Sequence, residues 1–228
     1  MSEESKAIEA VAKTAGKAID LADKFGTFIS KYISGSVEQG IGIFEDKLKY
    51  MRWERQLRLM QRAEEFMKAA GLSEPTKQIQ MKYMIPLLQG ATLEEDDYLQ
   101  DMWAKLLVNS STINSGIELT RNYIDILERI TPLEARILEK IYSLPFEETQ
   151  HKGIITVNLP EEAIIYSEKG EKDYKLENPE ILLALANLSR LGCLRPALSW
   201  GGGEGFEFVN PTLMGKYFIE ACALKERY

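Results

Sequence analysis

Chemistry at a protein site needs nucleophiles, bases or metal ligands, and in this 228-residue chain the usual ones are scarce. There is one histidine, His151, and there are two cysteines, Cys193 and Cys222, with no CxxC spacing. Zinc and haem sites therefore lack ligands, and the usual histidine-dependent triads lack a choice of base. His151 sits among Glu147, Glu148, Thr149, Gln150 and Lys152, which reads as a solvated loop. The cysteines read as two small buried hydrophobes, since no secretion signal precedes them. The densest acidic run is Glu94, Glu95, Asp96 and Asp97. Consecutive helical positions point in different directions, so these carboxylates cannot converge on Ca²⁺ or Mg²⁺. They suit the first turn of a helix, where the dipole favours negative charge, behind a Thr92-x-x-Glu95 capping box. No catalytic residue, metal ligand or cofactor is expected.

The basic residues are more pointed. Lys47, Lys49, Arg52, Arg55, Arg58 and Arg62 lie close together, and on a helix the four arginines fall within about 120° of one another. One reading is a solvated face, helped by Glu54 four residues before Arg58. The other is a contact surface for an acidic partner or an anionic membrane. Phe25 and Phe28 of the preceding segment complete this candidate contact set with Arg52, Arg55, Arg58 and Arg62.

The elements that would carry these residues are mostly helices. Residues 6–33 form an a/d seam: Ile8, Ala15, Ala22 and Ile29 recur every seven residues, each followed three later by Val11, Ala18, Phe25 and Tyr32. So narrow a seam calls for a covering helix. A second helix runs from Phe44 to Ala70, with Leu57, Met60, Ala63 and Met67 inward, and stops at Gly71. A short helix containing Pro86 stops at Gly90. The next presents Leu99, Met102, Trp103, Leu106 and Leu107 on one apolar face, and a further one buries Tyr123, Ile124, Leu127 and Ile130. The stretch from Phe25 to Phe44 is poor in charge, but Lys31, Glu38 and four glycines make it unfit to span a bilayer. With no signal peptide, the expected location is the cytoplasm, with a peripheral position at the inner membrane as a variant.

From Thr131 the pattern changes. Thr131-Pro132-Leu133-Glu134 is an N-cap, a first-turn proline and a third-position glutamate. There follow a β-rich run over Gly153–Leu159, a short helix from Pro160, and a helix from Pro179 to Leu191 capped by Asn178. Two strands around Gly201–Gly205 and a last helix after Asn210-Pro211 complete the order. Helix, strand, helix, helix, hairpin is the order of a winged helix. The fold class expected is therefore mainly α: a helical region over 1–130 and a winged-helix-like α+β domain over 131–228. The third helix is apolar, with Arg190 its one cation, and residues 131–228 hold 11 Lys/Arg against 15 Asp/Glu. Phosphate contacts dominate DNA affinity, so specific DNA binding is not expected. The overall net charge of −7 points the same way.

Several stretches together resemble a bacterial family. They are Tyr50 to Leu57, Ile85 to Asp97, Leu99 to Leu107, Ile130 to Leu138 and Asn210 to Phe218. These look like the abortive-infection alpha family of phage-resistance proteins, and the likeness extends over about residues 6–223. The resemblance implies a role in halting phage propagation, with no catalytic motif to carry over. The function expected is a non-enzymatic abortive-infection effector or adaptor acting through a protein partner or self-association. Engagement of an anionic membrane surface is the variant of that reading. The alternatives are a winged-helix transcriptional or signalling regulator, and a metal-dependent hydrolase or nuclease built on distant carboxylates.

Overall fold

A helix ends cleanly where its last carbonyls find donors, and the computed structural model shows this at Gly71. Helix α2 (Trp53–Ala69) closes with Gly71 N–H on the Lys68 carbonyl and Leu72 N–H on that of Met67, at 2.9 and 3.0 Å. This is the Schellman pattern, and Gly71 supplies the left-handed residue with φ 78°. The residues described are 23–33, 53–167, 174–198 and 203–224, so the expectations for 6–22, 34–52 and 168–173 lie outside them. The chain forms two compact units, divided between Ile124 and Asp125. The described residues are mainly helical, with a small antiparallel sheet.

In the first unit, α1 (residues 23–30) ends the expected seam. Phe25, Ile29 and Tyr32 are all buried, and Ile33 pairs with Ile79 through a short parallel bridge. The buried stripe of α2 is Gln56, Leu59, Met60, Ala63, Phe66 and Met67. Leu57, expected inward, is exposed, since at 100° per residue it lies about 120° from the middle of that stripe. Helix α3 (Met81–Leu93) runs through Gly90 rather than stopping there. The reason is tertiary: a Cβ at Gly90 would lie 2.5 and 2.6 Å from the Trp103 ring, so the glycine marks a close approach.

The capping box expected at Thr92 does not form. Thr92 is wholly buried inside α3, and its hydroxyl donates to the Leu88 carbonyl at 2.6 Å. The N-cap of α4 (Asp97–Ser110) is Asp96, whose carboxylate accepts from Tyr98 N–H and Leu99 N–H at 2.9 and 3.0 Å. Helix α4 is the centre of the unit. The expected face of Leu99, Met102, Trp103, Leu106 and Leu107 is buried, and so are Gln100, Ala104 and Val108 on its other sides. The division of the units falls within helix α5 (Arg121–Leu127), whose Ile124, Ile126 and Leu127 are buried.

In the second unit, α6 (Pro132–Tyr142) begins with the capping box that Thr131 and Glu134 announce, both reciprocal bonds being present. Helix α7 (Phe146–Lys152) was expected to be a loop; it forms with Glu147 and Glu148 in its first turn and His151 and Lys152 in its last, matching the dipole at both ends. His151 is exposed there. The short helix expected from Pro160 is absent. Turns occupy 157–161, and β2 (Ile164–Ile165) pairs antiparallel with β1 (Ile154–Ile155), as suits four β-branched side chains. Helix α8 (Pro179–Arg190) is capped by Asn178 and closes at Gly192, φ 76°, with a second Schellman pair. Strands β3 (Leu194–Leu198) and β4 (Glu204–Pro211) form the expected hairpin, and the sheet order is β2-β1-β4-β3. Helix α9 (Leu213–Cys222) begins after Asn210-Pro211 as expected, with Thr212 as its N-cap, and Pro211 still belongs to β4.

Candidate functional site

The arginine face of α2 meets a matching acidic edge on α4. Arg58 and Arg62 are four residues apart, as are Asp97 and Asp101, so two rows of opposite charge come into register. Arg62 grips Asp101 through two bonds, Nε to Oδ1 at 2.8 Å and a terminal nitrogen to Oδ2 at 2.6 Å. Arg58 reaches Asp101 at 2.8 Å and Asp97 at 3.2 Å. Arg55 holds Asp97 at 2.5 Å and also donates to the Glu95 carbonyl. Beneath them lies Gln100, wholly buried, with its amide oxygen 3.2 Å from Arg58. Its amide nitrogen donates to the carbonyls of Arg55 and Ala91, at 3.1 and 2.9 Å. Burial pushes the Asp101 carboxyl up. The hydrogen bonds from Arg62 and Arg58, with their charges, outweigh it and hold the group below the usual carboxylate range. Arg62 is pushed further up, chiefly by its bond to Asp101.

This changes the meaning of the sequence candidates. Arg55, Arg58 and Arg62 are neither a solvated face nor a free cationic one; they clamp α2 to α4. Phe25 and Phe28 are buried, 0% and 5% exposed, and stack on each other at 6.3 Å between ring centroids. They belong to the core of the first unit. Arg52 lies outside the described residues. The signal that could have found the clamp was the shared four-residue spacing of Arg58/Arg62 and Asp97/Asp101.

Among the exposed side chains of α2 and α3 are three large apolar ones. Trp53 and Leu57, one turn apart on α2, are 59% and 36% exposed, and Leu93 at the end of α3 is 61% exposed. Because Gln100 bonds the carbonyls of both Arg55 and Ala91, the N-terminal end of α2 meets the C-terminal end of α3 at one corner. Glu54 and the run Glu94 to Asp97 lie around that corner. Sequence reasoning missed it, since an exposed tryptophan has no periodic signature.

The second unit places its reactive-looking groups in structural roles. Burial, with a smaller push from the charge of Glu134, drives the Cys193 thiol up to about 12. Tyr142 hydroxyl donates to the Cys193 carbonyl at 2.5 Å and accepts from Thr212 N–H at 2.9 Å. Its own ionisation is pushed up to about 12, by burial first and against the bonds from Thr212. Glu134, 4% exposed, accepts from Thr131 N–H at 2.6 Å and from Asn187 at 2.8 Å, which ties α6 to α8. Arg190 donates to the Asn187 amide oxygen at 2.6 Å. Among the described residues no three His, Cys, Asp or Glu side chains are grouped to hold a metal ion, and no helix is long and apolar enough to cross a membrane.

The fold and the clamp thus define a mainly helical protein in which this conspicuous charge serves the scaffold. The family model for abortive infection alpha matches residues 54–222, most of the chain, and the chain belongs to that family. The matched region begins inside α2 and ends with α9, taking in the clamp and the whole sheet. No curated protein and no solved structure matches the chain.

Proposed function

We propose that this chain is a non-enzymatic abortive-infection protein that acts through protein contacts. The family suggests the abortive-infection role. The observation that carries the rest is how the first unit distributes its side chains. Its three described arginines on α2 are held by Asp97 and Asp101, while Trp53, Leu57 and Leu93 stand in solvent. Large exposed apolar groups rimmed by polar ones mark protein interfaces. An anionic bilayer would want free cations beside them, and here acidic residues occupy that place. The membrane variant is therefore disfavoured.

The second unit is read as a winged-helix-like module, with α8 in the place of the third helix and β3–β4 as the wing. It departs from that pattern where β2 replaces the helix after the first strand. Its α8 offers Leu183, 73% exposed, and an Arg190 already held by Asn187. Such a surface favours protein contact over phosphate contact.

The test is a plating assay in a phage-sensitive bacterium expressing the full chain, with cell survival counted alongside. Neutralising in turn to Asn or Gln each exposed Asp and Glu outside the Trp53–Leu57–Leu93 corner should leave protection in place. Protection abolished by one such change, in a variant whose circular dichroism is unaltered, would establish a catalytic carboxylate and overturn the reading.

A further inference from the structure

We infer that the corner formed by Trp53, Leu57 and Leu93 is a docking surface for a cationic amphipathic helix on a partner protein. The inference rests on the protein-contact reading above and adds the chemistry of the partner. Three features of the corner lead to it.

The first is apolar area in one place. Trp53, Leu57 and Leu93 are among seven large hydrophobics exposed in the described residues, and three of the seven fall on this corner. The Gln100 bridge brings the helix ends that carry them together, the Arg55 and Ala91 carbonyls both lying within 3.1 Å of one amide nitrogen. Tryptophan at the centre of such a patch is a typical anchor, since it supplies large area with few rotamers to freeze.

The second is the sign of the rim. Glu54 follows Trp53 on α2, and Glu94, Glu95, Asp96 and Asp97 follow Leu93. Asp97 remains 67% exposed although Arg55 and Arg58 touch it. Against five carboxylates stand Arg55 and Arg58, whose side chains are only 21% and 25% exposed. Arg52, next to Trp53 in sequence, lies outside the described residues, and the balance is that of the described ones. The corner therefore attracts cations and repels anionic surfaces.

The third is rigidity. The clamp of Arg55, Arg58 and Arg62 on Asp97 and Asp101 fixes α2 against α4, and the buried Gln100 fixes α3 to both. A preformed surface loses less freedom on binding. Apolar anchors at i and i+4, as at Trp53 and Leu57, are the spacing by which one helix meets another. An incoming helix with leucines on one face and lysines or arginines along its flanks satisfies both the patch and the rim.

The probe is a fluorescein-labelled 14-residue amphipathic peptide of leucine and lysine, with a leucine and glutamate counterpart of the same pattern. Each is titrated by anisotropy against the purified full chain, and against W53S/L93S and E54K variants shown to be folded by circular dichroism. The lysine peptide should bind, weaken with salt, and lose roughly tenfold or more in W53S/L93S; E54K should weaken it less. The glutamate peptide should not bind. Equal binding of both peptides, undiminished binding to W53S/L93S, or no binding of the lysine peptide would each overturn the inference. None of those results touches the plating assay, so failure here leaves the protein-contact reading to be judged by its own test.

Discussion

Gly90→Ala should destabilise the first unit, although the same change in most helices stabilises. Inside a helix, glycine is less favourable than alanine by about 1 kcal/mol, and a substitution facing open space would recover that. At Gly90 the added Cβ would stand 2.5 and 2.6 Å from two Trp103 ring carbons. Carbon atoms settle at about 3.5–4.0 Å, so the ring must retreat by roughly 1 Å. Trp103 is 1% exposed and set among the wholly or nearly buried Leu99, Leu106 and Leu107. Overpacking of this kind costs about 1–3 kcal/mol, which exceeds the gain in helix propensity. The net loss should be up to about 2 kcal/mol. At about 2–4 °C per kcal/mol for a chain of this size, the melt should fall by up to roughly 8 °C. Near-UV circular dichroism is the readout to use, because it follows tryptophan packing. The decisive control is Trp103→Leu, which removes the ring atoms that Gly90 faces. In that background Gly90→Ala should turn stabilising, a coupling of about 2 kcal/mol in the double-mutant cycle. A higher melting temperature for Gly90→Ala alone, or the same response in both backgrounds, would refute the reasoning.

Asp101→Asn should remove an acid sensitivity. The folded carboxyl lies below its unfolded value of about 3.9, so its stabilisation is present above that pH and disappears as pH falls through the folded value. Acid titration by circular dichroism should show the native chain losing stability below about pH 4 and the variant losing less over the same range. Cys193, with its thiol pushed up to about 12, should resist iodoacetamide at pH 8 in the folded protein and react once urea unfolds it; rapid native alkylation at Cys193 would contradict its burial. Thr131→Ala removes the side-chain half of the α6 capping box and should cost about 1 kcal/mol by urea denaturation, whereas Thr131→Ser should lose little.

What was legible in the sequence was what local geometry decides. Thr131, Pro132 and Glu134 sit within one turn of one another, and their capping box follows from spacing alone. Gly71 and Gly192 close helices because only nearby carbonyls are involved. The apolar face around Trp103 was equally plain, since 3.6-residue periodicity needs no partner to be seen. The arginines were different. Their partners lie 39 to 45 residues away along the chain, and nothing local to α2 says that Asp97, Gln100 and Asp101 will arrive there. Gly90 carries the same lesson, because a helix stop and a seat for a distant ring use the same residue. Phe25 and Phe28 read as available aromatics only while their covering was invisible. At Ile164–Ile165 the strand pairing with β1 overrode the helix that Pro160 suggested, a tertiary choice made by Ile154 and Ile155.

The Tyr142 hydroxyl joins the end of α6 to the start of β3 and to the cap of α9, and this sets a schedule for the newborn chain. Its second partner, the amide of Thr212, follows 70 residues later. Ribosomes add about 5–20 residues per second, so several seconds pass between the emergence of the tyrosine and of the segment that completes its bonding. Through that interval α6 and the first strands have no closing helix, and the phenol must stay in water. Gly215 makes the final step tight, since the backbone of α9 comes so close to Tyr142 that a Cβ there would collide with the hydroxyl. The second unit is thus sealed from its C-terminal end. A chain truncated before α9 should therefore leave the Tyr142 hydroxyl without Thr212 and be cut by protease faster than the full chain.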